Sequence, residues 1–269
     1  MRVKSKVLNV LGILAIALSI SPIYLAISSS LKKKSDLSSK WVINSNLTFE
    51  NYIAVLKNKS FYVSQMNTFI MVFGALAIVI FIGAITGFAL ARLDTKLSKA
   101  ISSFSLGVMM VPTINLMVPL YKLLIRLNLV NTLAGAIVTI GTFSLPLSIF
   151  IYQNFIRSIP IALDEAAQID GCNKFQTFFK VILPQLIPVT VTIIIVNGVK
   201  IFNNYMISYY ILQNEDKRVA TTFVANFFTE NPQLNKASAA ALLSSLPVIL
   251  IYLFLQKYFI SGATEGIGK

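Results

Sequence analysis

Residues Asp164–Pro184 read DEAAQIDGCNKFQTFFKVILP, a short polar segment between two strongly apolar stretches of the chain. Its landmarks are a Glu-Ala-Ala triplet, a glycine, an aliphatic residue and a closing Leu-Pro: Glu165, Ala166, Ala167, Gly171, Val181, Leu183 and Pro184. A polar helix and turn held between apolar segments predicts a structured connector rather than an unstructured loop.

Two short helices joined at Gly171 are predicted within and just before this segment. Pro160 needs no backbone partner in a first helical turn, and Ser158 is placed to cap that helix. Gly171 can adopt the left-handed conformation that ends a helix. Asn173 is then placed to cap the next helix, with Gln176 at the position of a capping-box partner.

The first of these helices is predicted to be amphipathic. Its small apolar face is expected to consist of Leu163, Ala166, Ala167 and Ile169. Glu165 and Asp170 are expected to form its polar face. The two alanines would let a partner approach the helix closely.

Composition indicates a membrane protein. Hydrophobic residues make up 56% of the 269-residue chain, charged residues 12%, and the mean hydropathy is +0.75. An ordinary soluble domain is about a quarter charged, so lipid is the expected solvent for much of this chain. The net charge is +13, but the basic residues are scattered among polar loops, so nucleic acid is not an expected partner.

Runs of about 20 apolar residues predict membrane-spanning helices, because that length crosses the hydrocarbon core. The predicted spans are Val7–Ser28, Thr68–Leu90, Ile101–Leu123, Leu133–Phe155, Gln185–Met206 and Ala237–Tyr258. The first has the basic start of a signal peptide, but its apolar run exceeds the roughly 7–15 residues of a signal sequence, which favours an anchor helix. The predicted class is an all-α polytopic membrane protein with six transmembrane helices.

Several chemistries lack the residues that they need. The chain has no histidine and one cysteine, Cys172, which excludes a metal site built on histidine or cysteine ligands and leaves a membrane-embedded enzyme without a site. It has no G-x-x-x-x-G-K-[ST] phosphate loop, so it is not expected to hydrolyse ATP itself. All ten acidic residues fall outside the predicted spans, which disfavours a self-sufficient ion-coupled carrier.

The spacing from Glu165 to Pro184 between two spans resembles the EAA loop of ABC-importer permeases. The resemblance covers nearly the whole chain and is to MalG-type permeases of the carbohydrate-uptake branch. It is carried by Thr48–Leu56 and by Ala89–Arg92. The C-terminal tail, with Gln256–Phe259, Gly262 and Gly266, also matches.

This resemblance implies a type I ABC importer permease fold in the bacterial inner membrane. The loop 157–184 would then face the cytoplasm as a coupling helix and turn, with both termini on the same side; equal numbers of basic residues on the two sides leave the positive-inside rule undecided. The residues implied to couple to the ATPase are Glu165, Ala166, Ala167, Asp170, Gly171 and Pro184. The tail residues implied to contact the ATPase are Gln256, Gly262 and Gly266.

The implied partners are a second, MalF-like permease, an ATPase homodimer and an extracytoplasmic sugar-binding protein. ATP and Mg²⁺ would be bound by the ATPase subunits, and this chain would bind no cofactor. The implied cargo is an oligosaccharide, and an acidic one remains an open alternative. Other open alternatives are an ABC permease for another solute, such as glycerol phosphate or a peptide, and a membrane scaffold that transports nothing.

The fifth predicted span carries the candidate substrate path. Many relatives of the resembled family have W-N-[DE]-[FY] there, whereas this chain has Asn203-Asn204-Tyr205-Met206. A lysine within a span costs about 2.5–3.5 kcal/mol on insertion scales, which makes Lys200 a functional candidate. The predicted path residues are Asn197, Lys200, Asn203, Asn204 and Tyr205. The competing interpretation is that Lys200 extends its ammonium group towards a helix end, or hydrogen-bonds a residue of a partner subunit.

Overall fold

The computed structural model describes residues 2–36, 38–42, 47–229 and 232–265, with the backbone alone described at 2–8, 10, 255 and 257–265. Within these residues the fold is all-α, as predicted. In chain order the α-helices are α1 (Arg2–Ser30), α2 (Glu50–Leu56), α3 (Lys59–Arg92), α4 (Lys96–Val108), α5 (Met117–Arg126), α6 (Leu133–Ser158), α7 (Ala162–Ile169), α8 (Lys174–Thr177), α9 (Leu183–Gln185), α10 (Ile187–Phe202), α11 (Met206–Ile211), α12 (Ala220–Ala225) and α13 (Leu234–Glu265). A π-helical turn over Phe178–Ile182 joins α8 to α9.

Among the described residues, four helices are long and apolar enough to cross a membrane, or up to six if each of two bent pairs counts as one span. The four are Leu11–Ser30, Lys59–Arg92, Leu133–Ser158 and Leu234–Phe254. They correspond to the first, second, fourth and sixth predicted spans. The second and fourth helices extend beyond the predicted limits, to Lys59 and Arg92 and to Ser158, because polar residues there continue the helix.

The third predicted span, Ile101–Leu123, is not one straight helix. Helix α4 ends at Val108, and the chain turns by 98° before the segment Thr113–Arg126. Pro112 explains the break: proline has no N–H to donate and disfavours helical geometry in the residue before it. A 3₁₀ turn, Thr113–Leu116, then leads into α5.

The fifth predicted span, Gln185–Met206, is also interrupted. The segment Lys174–Gln185 meets α10 at an angle of 71°. Pro184 and Pro188 lie on either side of this bend, and each removes a backbone donor. Helix α10 ends at Phe202, so Asn203, Asn204 and Tyr205 follow the helix rather than continue it.

The chain divides into two compact units, residues 1–62 with 220–247 and residues 63–219 with 248–269. In the first unit, Val55, Phe61, Phe223, Ala239 and Ala240 form an apolar core. The buried Asn51 side chain in this unit donates to the carbonyl oxygens of Ser30 and Lys32, each at 2.8 Å. These bonds fasten the end of α1 to α2.

The second unit contains α6 and most of α3, which approach each other closely. A Cβ atom at Gly87 would lie 2.6 Å from the Cβ of Tyr152, so only glycine fits at this crossing. Tyr152 is fully buried, and its hydroxyl shares a 2.9 Å hydrogen bond with Thr190 on α10. The buried Gln153 donates to the carbonyl oxygen of Leu90 at 3.3 Å. These contacts form the frame that carries the loop Asp164–Pro184.

Candidate functional site

The loop begins differently from the prediction at its first helix. Ser158 does not cap α7: it ends α6, and its hydroxyl donates to the carbonyl oxygen of Phe155 at 2.7 Å. The residue at the N-cap of α7 is Ile161, which offers no side-chain cap. Because α6 continues through Ser158, that side chain already bonds within the last turn of the preceding helix.

The end of α7 follows the prediction at Gly171. Gly171 has φ of +85°, the left-handed conformation that glycine adopts without steric cost. Its N–H donates to the carbonyl oxygen of Gln168 at 3.0 Å, and the N–H of Cys172 donates to that of Ala167 at 2.9 Å. These two bonds make a Schellman motif, which satisfies the last carbonyls of the helix and reverses the chain.

The predicted cap of the next helix is confirmed. Asn173 and Gln176 form a capping box at the start of α8, with both reciprocal hydrogen bonds present. The motif that ends one helix at Gly171 and the capping box that starts the next at Asn173 are separated by one residue, Cys172, whose N–H is bonded to Ala167. The loop is consequently a rigid corner rather than a tether.

The two faces of α7 are divided between the protein and its surroundings. Asp164 and Ala167 are buried against the rest of the second unit. Leu163, Ala166 and Ile169 lie on the exposed side, and Ile169 is 86% exposed. The predicted apolar face is thus split, because Ala167 packs inward while the other three point away from this chain.

Most of the residues that the resemblance links to an ATPase are accessible to a partner. Glu165, Ala166, Asp170, Gly171 and Pro184 are all exposed. An apolar stripe bordered by Glu165 and Asp170 has the make-up of a docking surface, in which a few apolar anchors are surrounded by polar groups. Exposing Ile169 to this extent brings no benefit to the isolated chain.

The inward face of α7 holds a charged pair that the sequence did not suggest. Arg92 Nη2, at the end of α3, lies 2.8 Å from Asp164 Oδ2, and the two side chains are only 13% and 9% exposed. Asp164 lies in the first turn of α7, where a carboxylate is favoured by the helix dipole. Removing one partner of such a buried pair costs about 3–5 kcal/mol, because the other charge is left uncompensated.

The geometry of this pair is electrostatic rather than a directed hydrogen bond. The same Nη2 donates a hydrogen bond to the carbonyl oxygen of Ile159, 3.1 Å away, directly after α6. Within the described part of the chain, neither Arg92 Nε nor Asp164 Oδ2 has a hydrogen-bond partner. The 2.8 Å separation still gives close charge contact, so we regard the pair as an ion pair with unused bonding capacity.

A cavity of about 660 Å³ opens beside this pair, between α3, α7 and α8. Its walls combine aromatic rings with charged groups: Phe88, Arg92, Asp164, Glu165, Phe175 and Phe179. The cavity separates much of α7 from α3. The ion pair therefore bridges two elements that are elsewhere apart.

The predicted substrate-path residues do not share one surface. Asn197 is fully buried, and its side-chain nitrogen donates to Ser148 Oγ at 3.1 Å and to the carbonyl oxygen of Ile193 at 3.2 Å. Lys200 is exposed in the last turn of α10 and lines a cavity of about 360 Å³ with residues of α4 and α6. The helical spacing predicts a common face, but Asn197 is buried against α6 whereas Lys200 is exposed beside it.

The remaining predicted path residues lie where α10 gives way to α11. Asn203 is exposed, and its side chain donates back to the carbonyl oxygen of Val199 at 2.9 Å. Asn204 is half-buried and accepts a bond from the N–H of Ser208 at 3.4 Å. Tyr205 is exposed and stacks on Tyr209 with ring centres 5.4 Å apart.

The predicted tail contacts fall at the limit of the described residues. Gln256 lies in α13 and is half-buried, and Gly262 belongs to the same helix. Gly266 lies outside the described residues.

A signal for the Arg92–Asp164 pair is visible in the sequence once the fold is known. The basic Arg92 closely follows the second predicted span, and the acidic Asp164 opens the loop that follows the fourth. Their side chains meet after α3 and α6 have packed closely together, as at Gly87 and Tyr152. Charge alone did not indicate which of several residues would pair.

The chain resembles proteins of known function along its whole length. It is 38% identical over 272 residues to the melibiose/raffinose/stachyose import permease protein MelC of Bacillus subtilis, an alignment that covers 100% of this chain and 98% of MelC. It is 29% identical over 264 residues to the trehalose transport system permease protein SugB of Mycobacterium tuberculosis, covering 97% and 96% of the two chains.

A solved structure has the same fold. The chain superposes with a TM-score of 0.78 on a chain of a bacterial ABC transporter involved in the import of the acidic polysaccharide alginate, at 24% identity and covering 96% of this chain and 97% of that one. This likeness establishes the architecture of a type I ABC importer permease. Residues 80–264 also match the model of a family of membrane permeases. The chain belongs to the family of binding-protein-dependent transport system inner membrane components.

Proposed function

We propose that this chain is a permease subunit of an ATP-driven oligosaccharide importer. It forms the translocation path with a second, MalF-like permease and receives cargo from an extracytoplasmic sugar-binding protein. A separate ATPase dimer, which binds ATP and Mg²⁺, docks on the exposed side of α7. The loop 157–184 and both chain termini lie on the cytoplasmic side, and the bent pairs of helices complete six spans.

The observation that carries this proposal is the exposed side of α7. The helix projects from a rigid corner, and its exposed residues are an apolar stripe with acidic flanks. Such a surface supports docking of a partner whose motion can be transmitted to the membrane helices. The proposal that the cargo is a sugar is supported by the relatives MelC and SugB, which are named for the import of oligosaccharides and of trehalose.

Two matched variants test the docking surface. Ile169 and Leu97 are exposed aliphatic residues, 86% and 69% exposed, at α7 and at the start of α4. We expect Ile169→Ser to abolish co-purification of the ATPase, while Leu97→Ser retains it. Neither change removes a buried contact, so each variant of this subunit should unfold at the same temperature as the wild type. Full ATPase retention by Ile169→Ser would contradict the docking surface.

The transport activity is tested by reconstitution with the second permease, the ATPase and the binding protein in lipid vesicles. We expect raffinose or melibiose to stimulate ATP hydrolysis and to accumulate inside. If only glycerol phosphate or a peptide stimulates ATP hydrolysis, the cargo is that solute and not a sugar. If the assembled complex transports no solute, the remaining explanation is that the chain is a membrane scaffold.

An acidic oligosaccharide is the second candidate cargo, favoured by the position of Lys200. Its side chain is the charged group among the cavity residues of α4, α6 and α10, which are otherwise apolar or hydroxyl-bearing. An ammonium in such surroundings would gain from an anionic ligand. If the cargo is acidic, Lys200→Met should lower uptake of a uronic-acid oligosaccharide and leave raffinose uptake unchanged. If Lys200→Met impairs the uptake of neither sugar, Lys200 has no contact with the cargo and only extends its ammonium group at the helix end.

A further inference from the structure

The geometry points to the Arg92–Asp164 ion pair as the contact that makes α7 move as one body with the end of α3. In this inference, which rests on the proposed function, the displacement that the ATPase imposes on α7 reaches α3 through this pair. Arg92 and Asp164 are positioning residues: neither touches ATP or sugar.

The first support is the place of the pair in the fold. Arg92 is the last residue of α3, a helix long and apolar enough to cross the membrane. Asp164 lies in the first turn of α7, on the face opposite the exposed stripe. A force applied to the exposed side of α7 therefore arrives directly at the end of a span.

The second support is the space around the pair. The cavity of about 660 Å³ is lined by residues of α3, α7 and α8, so part of the facing surfaces of α3 and α7 is not in close contact. Apolar packing alone would therefore hold α7 loosely against α3. A buried ion pair across such a gap fixes the register of the two helices, because sliding would separate the charges in a medium of low dielectric constant.

The third support is that Arg92 reaches a further element. Its Nη2 also donates to the carbonyl oxygen of Ile159, just after α6. One nitrogen of the guanidinium group therefore contacts acceptors on two different segments, Asp164 in α7 and Ile159 after α6. On the other side of the cavity, the ring of Phe88 on α3 lies 5.1 Å from the ring of Phe178. The ends of α3 and α6 and the start of α7 are thus joined at one guanidinium.

The pair is more readily explained as a device for registry than for stability. Replacing a buried ion pair by apolar residues is often neutral or stabilising, so the pair is weak evidence for a stabilising role. A contact retained at this position instead specifies how the helices are oriented.

A distance measurement tests the inference on the unaltered pair. Cys172, the single cysteine of the chain, lies three residues beyond Ile169, the last residue of α7, and Leu93 is an exposed residue next to Arg92. Spin labels are placed at Cys172 and at Leu93→Cys in the complete complex with cysteine-free partner subunits. We expect the same narrow distance distribution without nucleotide and with ATP and vanadate trapped, a state verified by loss of ATP turnover.

Asp164→Asn in the same labelled complex should broaden this distribution and make it depend on nucleotide. A distance that changes on trapping in the unaltered pair would overturn the inference, because α7 would then move relative to α3. A distribution that stays narrow and unchanged in Asp164→Asn would equally overturn it.

A functional measurement separates coupling from folding. Asp164→Asn and Arg92→Gln are compared with Asp94→Asn, which neutralises an exposed, ion-paired carboxylate between α3 and α4. We expect the first two to raise the number of ATP molecules hydrolysed per sugar imported several-fold, and Asp94→Asn to leave the ratio unchanged. Unchanged ratios in both Arg92→Gln and Asp164→Asn would overturn the inference.

The reversed pair Arg92→Asp with Asp164→Arg provides the rescue. Restored charge contact should bring the ratio back towards that of the wild type, whereas a purely steric role would not be rescued. If the single variants fail to assemble, the distance measurement on the unaltered pair decides alone. If sugar does not stimulate ATP hydrolysis by the wild-type complex, the proposed function is contradicted. If stimulation is normal but the distance between the labels depends on nucleotide, only this inference is contradicted.

Discussion

Asn173 and Gln176 exchange hydrogen bonds across the first turn of α8. The N–H of Gln176 donates to Asn173 Oδ1, and the N–H of Asn173 donates to Gln176 Oε1, each at 2.9 Å. Both residues are exposed, so the pair contributes through these bonds rather than through burial. It satisfies two backbone donors at the point where the chain turns back towards the membrane.

Asn173→Ala should loosen the start of α8 by about 1 kcal/mol, because the N-cap acceptor is lost. Hydrogen exchange of the amide of Gln176 should then be faster by about fivefold, since local opening carries that free energy. Mass spectrometry of peptides covering residues 173–178 in the assembled complex measures this effect. Asn173→Ser keeps an acceptor and serves as the control. Equal exchange in the alanine and serine variants would contradict the role of the cap.

Gly171→Ala should destabilise the corner between α7 and α8. A Cβ atom there would meet no atom within 4 Å, so the cost comes from the backbone φ of +85° alone, about 1–2 kcal/mol. Gly171→Asn should cost less, since asparagine tolerates this region and already occupies it at Asn128 and Asn131. The affinity of the complex for its ATPase is the measurement. An asparagine variant as impaired as the alanine variant would point to a requirement other than backbone conformation.

Gly87→Ala should destabilise the second unit by about 1–3 kcal/mol. The added methyl group would lie 2.6 Å from Tyr152 Cβ and 3.1 Å from the backbone nitrogen of Gln153, which forces α3 away from α6. Gly107→Ala is the matched control, because a Cβ there meets nothing within 4 Å. The thermal unfolding midpoint of the purified subunit should fall for Gly87→Ala only. A similar fall in both variants would show that the close approach is not the cause.

The pKa of the Asp94 carboxyl is lowered from its ordinary value by the hydrogen bond with Lys99 and by the charge of that residue. A carboxyl with a lowered folded-state pKa contributes stability above about pH 4 and loses it as the pH falls through the folded-state value. Between pH 5 and pH 8 the group stays ionised, so Asp94→Asn should not change how stability depends on pH.

Solvent and salt screen this pair, because both side chains are largely exposed. Titration of ¹³C-labelled aspartate should show the lowered pKa in the wild type and its return towards the ordinary value in Lys99→Gln. An unchanged titration in Lys99→Gln would refute this origin of the shift.

The sequence predicts most of the fold because the long apolar runs that become membrane-spanning helices are visible in it directly, without knowledge of tertiary contacts. Hydropathy could not predict the bends within the third and fifth predicted spans, since it averages over a proline such as Pro112. The turn at Gly171 and the cap at Asn173 were predicted because their partners lie within a few residues. The cap by Ser158 was wrong because the length of α6 depends on tertiary packing.

The contacts between distant residues could not be predicted in the same way. Arg92 meets Asp164, and Asn197 meets Ser148, only after helices far apart in the chain have packed together. Helical spacing placed Asn197 and Lys200 on one face, but it carries no information about which of the two α6 buries. The assignment of Lys200 to a substrate path stays a prediction.

The π-helical turn over Phe178–Ile182 is the place where this loop can best absorb a change of length. A π turn holds one residue more than the corresponding α-helical turn, so removing a single residue there would regularise the helix and leave the segment before it facing nearly the same way. In the α-helical turns on either side, each residue rotates the chain by about 100°, so a deletion there would turn Asp164 away from Arg92 although both residues remained. Insertions and deletions outside the π turn, between Gly171 and α10, should therefore be tolerated far less than substitutions.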